Sequence, residues 1–117
     1  MNKVTIWHNP RCSKSREAIS ILEESDTQKE IIKYLENSPS ADEIKNLLTM
    51  LGLNARELMR TKEAIYKELD LANVSEEAML IDAMAKNPKL IERPILIKNG
   101  KAIIGRPTSI IVDFLKD

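Results

Sequence analysis

The spacing of apolar residues changes along the chain, and each change marks a predicted element. Val4-Thr5-Ile6-Trp7 is a short apolar run that reads as a buried strand, stopped by Asn9-Pro10. Over residues 13–24 the positions Ala18, Ile19 and Leu22 share one helical face while Lys14, Glu17 and Glu24 lie off it, which predicts an amphipathic helix. An isoleucine-rich strand is expected over 28–33. Strand-helix-strand order favours a parallel pair joined by a right-handed crossover. After the turn cluster Asn37-Ser38-Pro39-Ser40, Ser40 and Glu43 form a capping box that opens a helix at Ala41, with Ile44, Leu47, Leu48 and Leu51 as its stripe and Gly52 at its left-handed end. Short helical pieces follow over 54–59 and 64–69, and Ser75 is expected to cap a helix over 76–86 that stops before Asn87-Pro88. Residues 94–97 and 102–104 are apolar runs joined across Asn99-Gly100, a two-residue hairpin signal. A terminal helix over 108–115 follows, with Pro107 in its first turn.

Strand, helix, strand, helical block, hairpin, helix is the order of an α/β, thioredoxin-like fold: a mixed four-stranded sheet with a helical insertion at about 40–90, all within one domain of 117 residues. A hydrophobic content of 43% is enough for one ordinary core. Eighteen basic residues balance eighteen acidic ones, so no overall field draws the chain to nucleic acid or to an anionic membrane, and any preference for anions has to be local. No apolar run approaches the roughly 20 residues of a membrane span, and Met1-Asn2-Lys3 leads into a strand and not into a signal-peptide core. A cytoplasmic monomer is expected. One cysteine makes no internal disulfide, and a free thiol persists most easily in a reducing compartment.

That cysteine, Cys12, lies at the strand-to-helix junction, between Arg11 and the first helical turn Ser13-Lys14-Ser15-Arg16. Buried free cysteines are commonly inert. A proline turn, a helix start and flanking charged and hydroxyl side chains are instead the surroundings that lower a thiol's pKa. Cations in a first helical turn are locally unfavourable against the macrodipole, so something negative should complete the site: the thiolate, an oxyanion held by the helix-start N–H groups, or both. Ser15 stands where a Cys-x-x-Cys pair would have its second thiol, so oxidised Cys12 needs an external thiol to restore it. A phosphatase-type anion loop would have arginine six positions after the cysteine. That position is Ala18, and Arg16 comes four positions on. His8, the sole histidine, ends a strand, where hydrogen-bonded scaffolding and catalysis both remain open. With one histidine and one cysteine no ligand-like spacing is present, and neither a metal nor a bound cofactor is expected. Met50, Met59, Met79 and Met84 read as core. Arg60, Arg93 and Arg106 are separate in sequence and would pass for solvated surface. Two of them, though, precede prolines at strand edges, where a fixed guanidinium fork suits an oxyanion.

The run from His8 to Arg16, with Glu92-Arg93-Pro94 and Gly105-Arg106-Pro107, resembles the glutaredoxin-coupled arsenate reductase family, and the likeness extends through Tyr34-Leu35 and Leu58-Met59-Arg60. The resemblance implies a thioredoxin fold with a helical insertion and a cis peptide bond at Arg93-Pro94. It implies Cys12 as the nucleophile that forms a thiol-arsenate adduct, Arg60, Arg93 and Arg106 as the oxyanion clamp, and His8 as an aid to keeping the thiolate ionised. It also implies glutathione as co-substrate and glutaredoxin as the partner that resolves the mixed disulfide. Dedicated resistance enzymes of that family commonly have glycine and threonine after the cysteine, where this chain has Ser13-Lys14. Two other readings stay open. One is a glutathione-dependent thiol reductase with a different substrate, matching the Cys-x-x-Ser pattern. The other is an Spx-type regulator that binds RNA polymerase, although Ser15 removes the thiol pair such regulators use.

Overall fold

Alternation in Val4-Thr5-Ile6-Trp7 and helical periodicity after Cys12 become the first two elements of a computed structural model that describes residues 3–116. In chain order the elements are β1 (Lys3–Trp7), α1 (Ser13–Glu24), β2 (Gln28–Ile32), α2 (Ala41–Leu51), α3 (Ala55–Leu58), α4 (Ala64–Glu68), α5 (Glu77–Lys86), β3 (Ile95–Lys98), β4 (Lys101–Ile104) and α6 (Ser109–Lys116), with short 3-10 turns at Leu71–Asn73 and Pro88–Leu90. The chain forms two compact units, one from residues up to Tyr34 together with those from Arg93 onward, the other from Leu35–Glu92. No helix among the described residues is long and apolar enough to cross a membrane.

The first unit carries a four-stranded sheet in the order β2-β1-β3-β4, with β1 parallel to β2 and antiparallel to β3, and β3 antiparallel to β4. This is the mixed sheet of a thioredoxin-like fold. Period-two alternation sends Val4 and Ile6 to one face, where they pack with Leu96 against Ala18 and Leu22 of α1 and Ile111 and Phe114 of α6. Trp7, on the opposite side of its strand, stacks on Tyr34 with ring centroids 6.5 Å apart. Asn99 and Gly100 have φ of 52° and 75°, the left-handed pair that a two-residue hairpin turn requires. Lys98 at the end of β3 is buried and donates to the Leu115 carbonyl at 2.8 Å, placing a cation at the C-terminal end of α6, where the helix dipole favours one.

In the second unit the Ser40–Glu43 capping box is complete, and Gly52 ends α2 at φ 69°. A second capping box, Asn54 with Glu57, opens α3. α2 packs on α5, burying Ile44, Leu47, Leu80 and Met84. Arg56 donates to the Tyr66 hydroxyl and to the carbonyls of Leu71 and Val74, which ties the irregular stretch after α4 back to α3.

Three expectations are corrected. Ser75 does not cap α5. The cap position is Glu76, which makes no side-chain cap bond, while Glu77 sends its carboxylate to the Ala55 N–H at 2.7 Å. Met79 is 53% exposed and so is not core, because it lies on the outer side of α5 away from Leu80 and Met84. Pro107 precedes α6 and does not sit in its first turn: the helix starts at Ser109, after a cis Arg106-Pro107 bond.

Gly105 is where the fold meets the chemistry. Its N–H donates to the Pro94 carbonyl at 2.8 Å, and an added Cβ would sit 3.0 Å from Pro94 Cγ, Leu96 Cδ1 and Ile111 Cδ1. Gly105→Ala is therefore expected to lower stability by about 1–3 kcal/mol through overpacking, read as a lower urea midpoint with an unchanged slope.

Candidate functional site

The turn after β1 is built from its own side chains. Asn9 Oδ1 accepts from the Arg11 N–H at 3.0 Å, the Asn9 carbonyl accepts from the Cys12 N–H at 3.0 Å, and Arg16 Nη1 donates to the Pro10 carbonyl at 3.0 Å. This seats Cys12 as the N-cap of α1 in extended backbone, φ −94° and ψ 124°, so its side chain lies over the free N–H groups of the first turn. The first turn holds no acidic residue that would compete for those donors.

Cys12 is buried, with 8% of its surface exposed. Burial alone would raise its pKa. The Ser15 N–H, the Arg93 guanidinium and the Lys14 N–H bond to the thiolate and outweigh burial, so the thiol titrates below its ordinary value. The helix start thus acts through backbone donors. The cationic side chains beside it have local partners: Lys14 lies 3.8 Å from Glu17, and Arg16 holds Pro10. Ser13 is exposed at the first position of α1.

Ser15 is fully buried, and its hydroxyl oxygen accepts from the Asn9 N–H at 3.0 Å and lies 2.7 Å from His8 Nδ1. Burial, then the charges of Lys33 and Arg16, push the His8 imidazole below its ordinary pKa, so the ring is neutral at neutral pH. His8 touches Ser15, whose N–H bonds to the thiolate, and it is not among the groups that lower the Cys12 pKa. Sequence spacing alone did not reveal this pair, since a seven-residue separation across a turn has no periodic signature.

Arg93 stands at the start of β3 with a cis bond to Pro94. Besides its contact with the thiolate, its Nε and Nη1 are buried and bond to no protein group among the described residues. Two guanidinium donors therefore lie beside the thiolate. The Gly105–Pro94 hydrogen bond brings the Arg106 main chain to the same edge of the sheet, and the Arg106 side chain is exposed there. Arg60 belongs to the Leu35–Glu92 unit, where it pairs with Glu63 at 2.8 Å and with Glu92 at 3.6 Å. Neither pairing was foreseen from the sequence, although the three-residue step from Arg60 to Glu63 was a usable signal. Among the described residues no group of three or more histidine, cysteine or acidic side chains is placed to hold a metal ion.

Two outcomes are expected here. Alkylation of Cys12 by iodoacetamide should show an inflection below the ordinary thiol value, and Arg93→Ala should move it upward. The folded state binds fewer protons between the lowered and the ordinary value. The thiolate's contribution to stability is therefore complete above the ordinary value and lost as pH falls through the lowered one, a dependence that Cys12→Ser removes. Ser15→Ala leaves the Asn9 N–H and His8 Nδ1 buried without their partner, so chemical denaturation should report a loss of about 1–3 kcal/mol.

The sequence profile of the ArsC family matches residues 7–114. The chain is 53% identical over 116 residues to the uncharacterized protein YfgD of Escherichia coli strain K12, covering 97% of each. It is 49% identical over 109 residues to an arsenate reductase of Neisseria meningitidis serogroup A, covering 92% of this chain and 93% of that one. Among solved structures, an arsenate reductase from Vibrio cholerae superposes with a TM-score of 0.91 at 50% identity, covering 95% of this chain and 96% of the other. The thiolate at the helix start, the cis-proline arginine beside it and this likeness along nearly the whole length agree, and the chain belongs to the ArsC family.

Proposed function

We propose that this chain is an arsenate reductase that takes its electrons from glutathione and glutaredoxin. The observation that carries the reading is the pair of buried Arg93 donors, Nε and Nη1, beside a thiolate already stabilised by the same guanidinium and by two backbone N–H groups. A tetrahedral oxyanion supplies the acceptors those donors lack, and it places its central atom within reach of sulfur. The names of the Neisseria and Vibrio relatives support arsenate as that anion.

In this scheme the Cys12 thiolate attacks arsenate, forming an S–As bond as one oxygen leaves as water. Glutathione attacks the adduct. The two electrons that reduce As(V) to As(III) come from the two sulfurs, which join as a disulfide while arsenite departs. A glutaredoxin thiol then takes over the glutathionyl group and returns Cys12 as a thiolate. Arg93 holds the anion and offsets charge through the attack, and Arg106 of the same unit completes the clamp. His8, neutral and bonded to Ser15, positions the helix start that holds the thiolate. Ser15 has no sulfur to offer, so the second thiol must come from outside. Such a cycle suits the reducing cytoplasm, and one chain contains every residue it uses.

Arsenite formation from arsenate, followed with glutathione, glutaredoxin and a reductant-regenerating system, should be abolished by Cys12→Ser. Arg93→Ala should lower kcat/KM for arsenate by about ten- to a hundredfold, the loss of one or two charge-assisted bonds. Glutathione-disulfide exchange at Cys12 with no arsenite formed would replace this reading by a thiol reductase with another substrate.

A further inference from the structure

Two cations beside the candidate site are not neutralised, and both belong to the unit that carries Cys12. Arg16 lies one helical turn after Cys12, its N–H donating to the Cys12 carbonyl at 3.0 Å, and its Nη1 reaches back to the Pro10 carbonyl at 3.0 Å. The guanidinium is thereby held against the turn that seats the thiolate, with Nε and Nη2 bonded to no described residue. Lys33 follows β2 directly. β1 and β2 run parallel with Trp7 beside Ile32, and the His8 N–H donates to the Ile32 carbonyl at 2.8 Å, which carries Lys33 alongside His8. The charges of Lys33 and Arg16 are both felt at the His8 ring, so the two cations gather around one imidazole that stays neutral. Both side chains are exposed. Neither makes an ion pair among the described residues: Glu17 is taken by Lys14 at 3.8 Å and Glu30 by Lys3 at 3.9 Å. Like charges gathered without a carboxylate repel one another, and an incoming anion relieves that repulsion.

We infer that Arg16 and Lys33 form a carboxylate site for glutathione, separate from the Arg93 donors that meet the oxyanion. The inference rests on the reading of glutathione as co-substrate. Glutathione is a flexible tripeptide with a carboxylate at each end, and its glycine carboxylate lies one residue from its cysteine, about 3.8 Å between Cα atoms. A carboxylate that bridges the free nitrogens of Arg16 therefore keeps the glutathione sulfur close to the Cys12 turn, where the thiol has to arrive. Arg16 supplies a planar fork for that carboxylate, and Lys33 adds a point charge that draws the net-negative tripeptide in. Arg93 answers the oxyanion, and the thiol donor is met by cations of its own.

Exchange of the full chain with glutathione disulfide tests the site without arsenate or glutaredoxin. The Cys12 thiolate attacks one sulfur of the disulfide, the Cys12–glutathione S–S bond forms as the old one breaks, and the second glutathione leaves as a thiolate. Its rate constant, followed by mass spectrometry, is divided by that for the uncharged hydroxyethyl disulfide, so that any change in the thiolate itself cancels. Lys33→Gln and Arg16→Gln should each lower this ratio by about twofold to fivefold, the range of exposed charge pairs, and added salt should lower it in the parent. Lys101→Gln, where β4 begins after the hairpin turn, should leave it unchanged. An equal ratio in the parent and both variants overturns the inference. So does an equal fall in Lys101→Gln, which would mean that the whole surface and not a site attracts the tripeptide. Arg16→Gln also loses the Pro10 contact, whereas the Lys33 side chain makes no hydrogen bond among the described residues, so a fall confined to one of the two overturns the paired site. Failure of the parent to exchange with glutathione disulfide overturns the inference together with the glutathione reading. A ratio that depends on both cations in a protein that forms no arsenite leaves the glutathione site standing and overturns arsenate as the substrate.

Discussion

Keeping a negative charge on sulfur in a side chain that is almost wholly out of water is the constraint on which this fold turns. An unpaired buried charge costs several kcal/mol, and burial by itself pushes the Cys12 pKa the wrong way. The protein offsets that cost with N–H groups that a helix start cannot satisfy internally and with one guanidinium from the start of β3, the strand next to β1. Every nearby element serves this arrangement. The Asn9-Pro10 turn fixes where α1 begins, buried Ser15 links that first turn to His8 and Asn9, and the register of β1 with β3, Trp7 opposite Ile95, brings Arg93 alongside. The close packing of Gly105 on Pro94 then holds the start of β3 in place.

The same constraint decides the state of His8. A protonated imidazole would add a positive charge at a buried position already facing Lys33 and Arg16, and all three effects oppose it. The ring stays neutral and exchanges a hydrogen bond with Ser15. A neutral ring one residue removed from the thiolate adds little charge stabilisation, and its value lies in fixing the donor that does. The division of labour is between groups that bring charge to the thiolate, chiefly Arg93, and groups that keep the helix start in place.

Much of this was legible in the sequence because local rules and tertiary outcome agree. The capping box at Ser40, the glycine end of α2, the Asn99-Gly100 turn and the amphipathic stripe of α1 each need only a few neighbouring residues to be recognised. Cys12 was legible for the same reason: its position between a proline turn and a helix is a local pattern. What stayed hidden depends on contacts between residues distant along the chain. Ser75 has the composition of a cap, yet the helix begins one residue later, and Glu77 is drawn to a backbone donor twenty-two positions back. Met79 matched an apolar period on a helix whose buried side is set by α2 and α3. Glu92 was visible as part of a motif, but its approach to Arg60 depends on the Met59–Ile91 bridge, which no periodicity announces.

Charge balance across the whole chain, eighteen against eighteen, leaves anion recognition to be decided locally, and the two arginines for which most is known differ in how much of their charge is available. Arg93 is opposed by the Cys12 thiolate, and it keeps two buried donors without a protein acceptor among the described residues. Arg60 is opposed by two carboxylates, those of Glu63 and Glu92. Under the proposed reaction the first arrangement stores its attraction for the moment sulfur becomes bonded to the substrate, because forming that bond removes the competing negative charge and frees the guanidinium for the oxyanion. The second holds its attraction in check at all times. Under the proposed reaction an arginine of the first kind favours the bonded state over simple occupancy, which is what distinguishes transforming an anion from merely binding one.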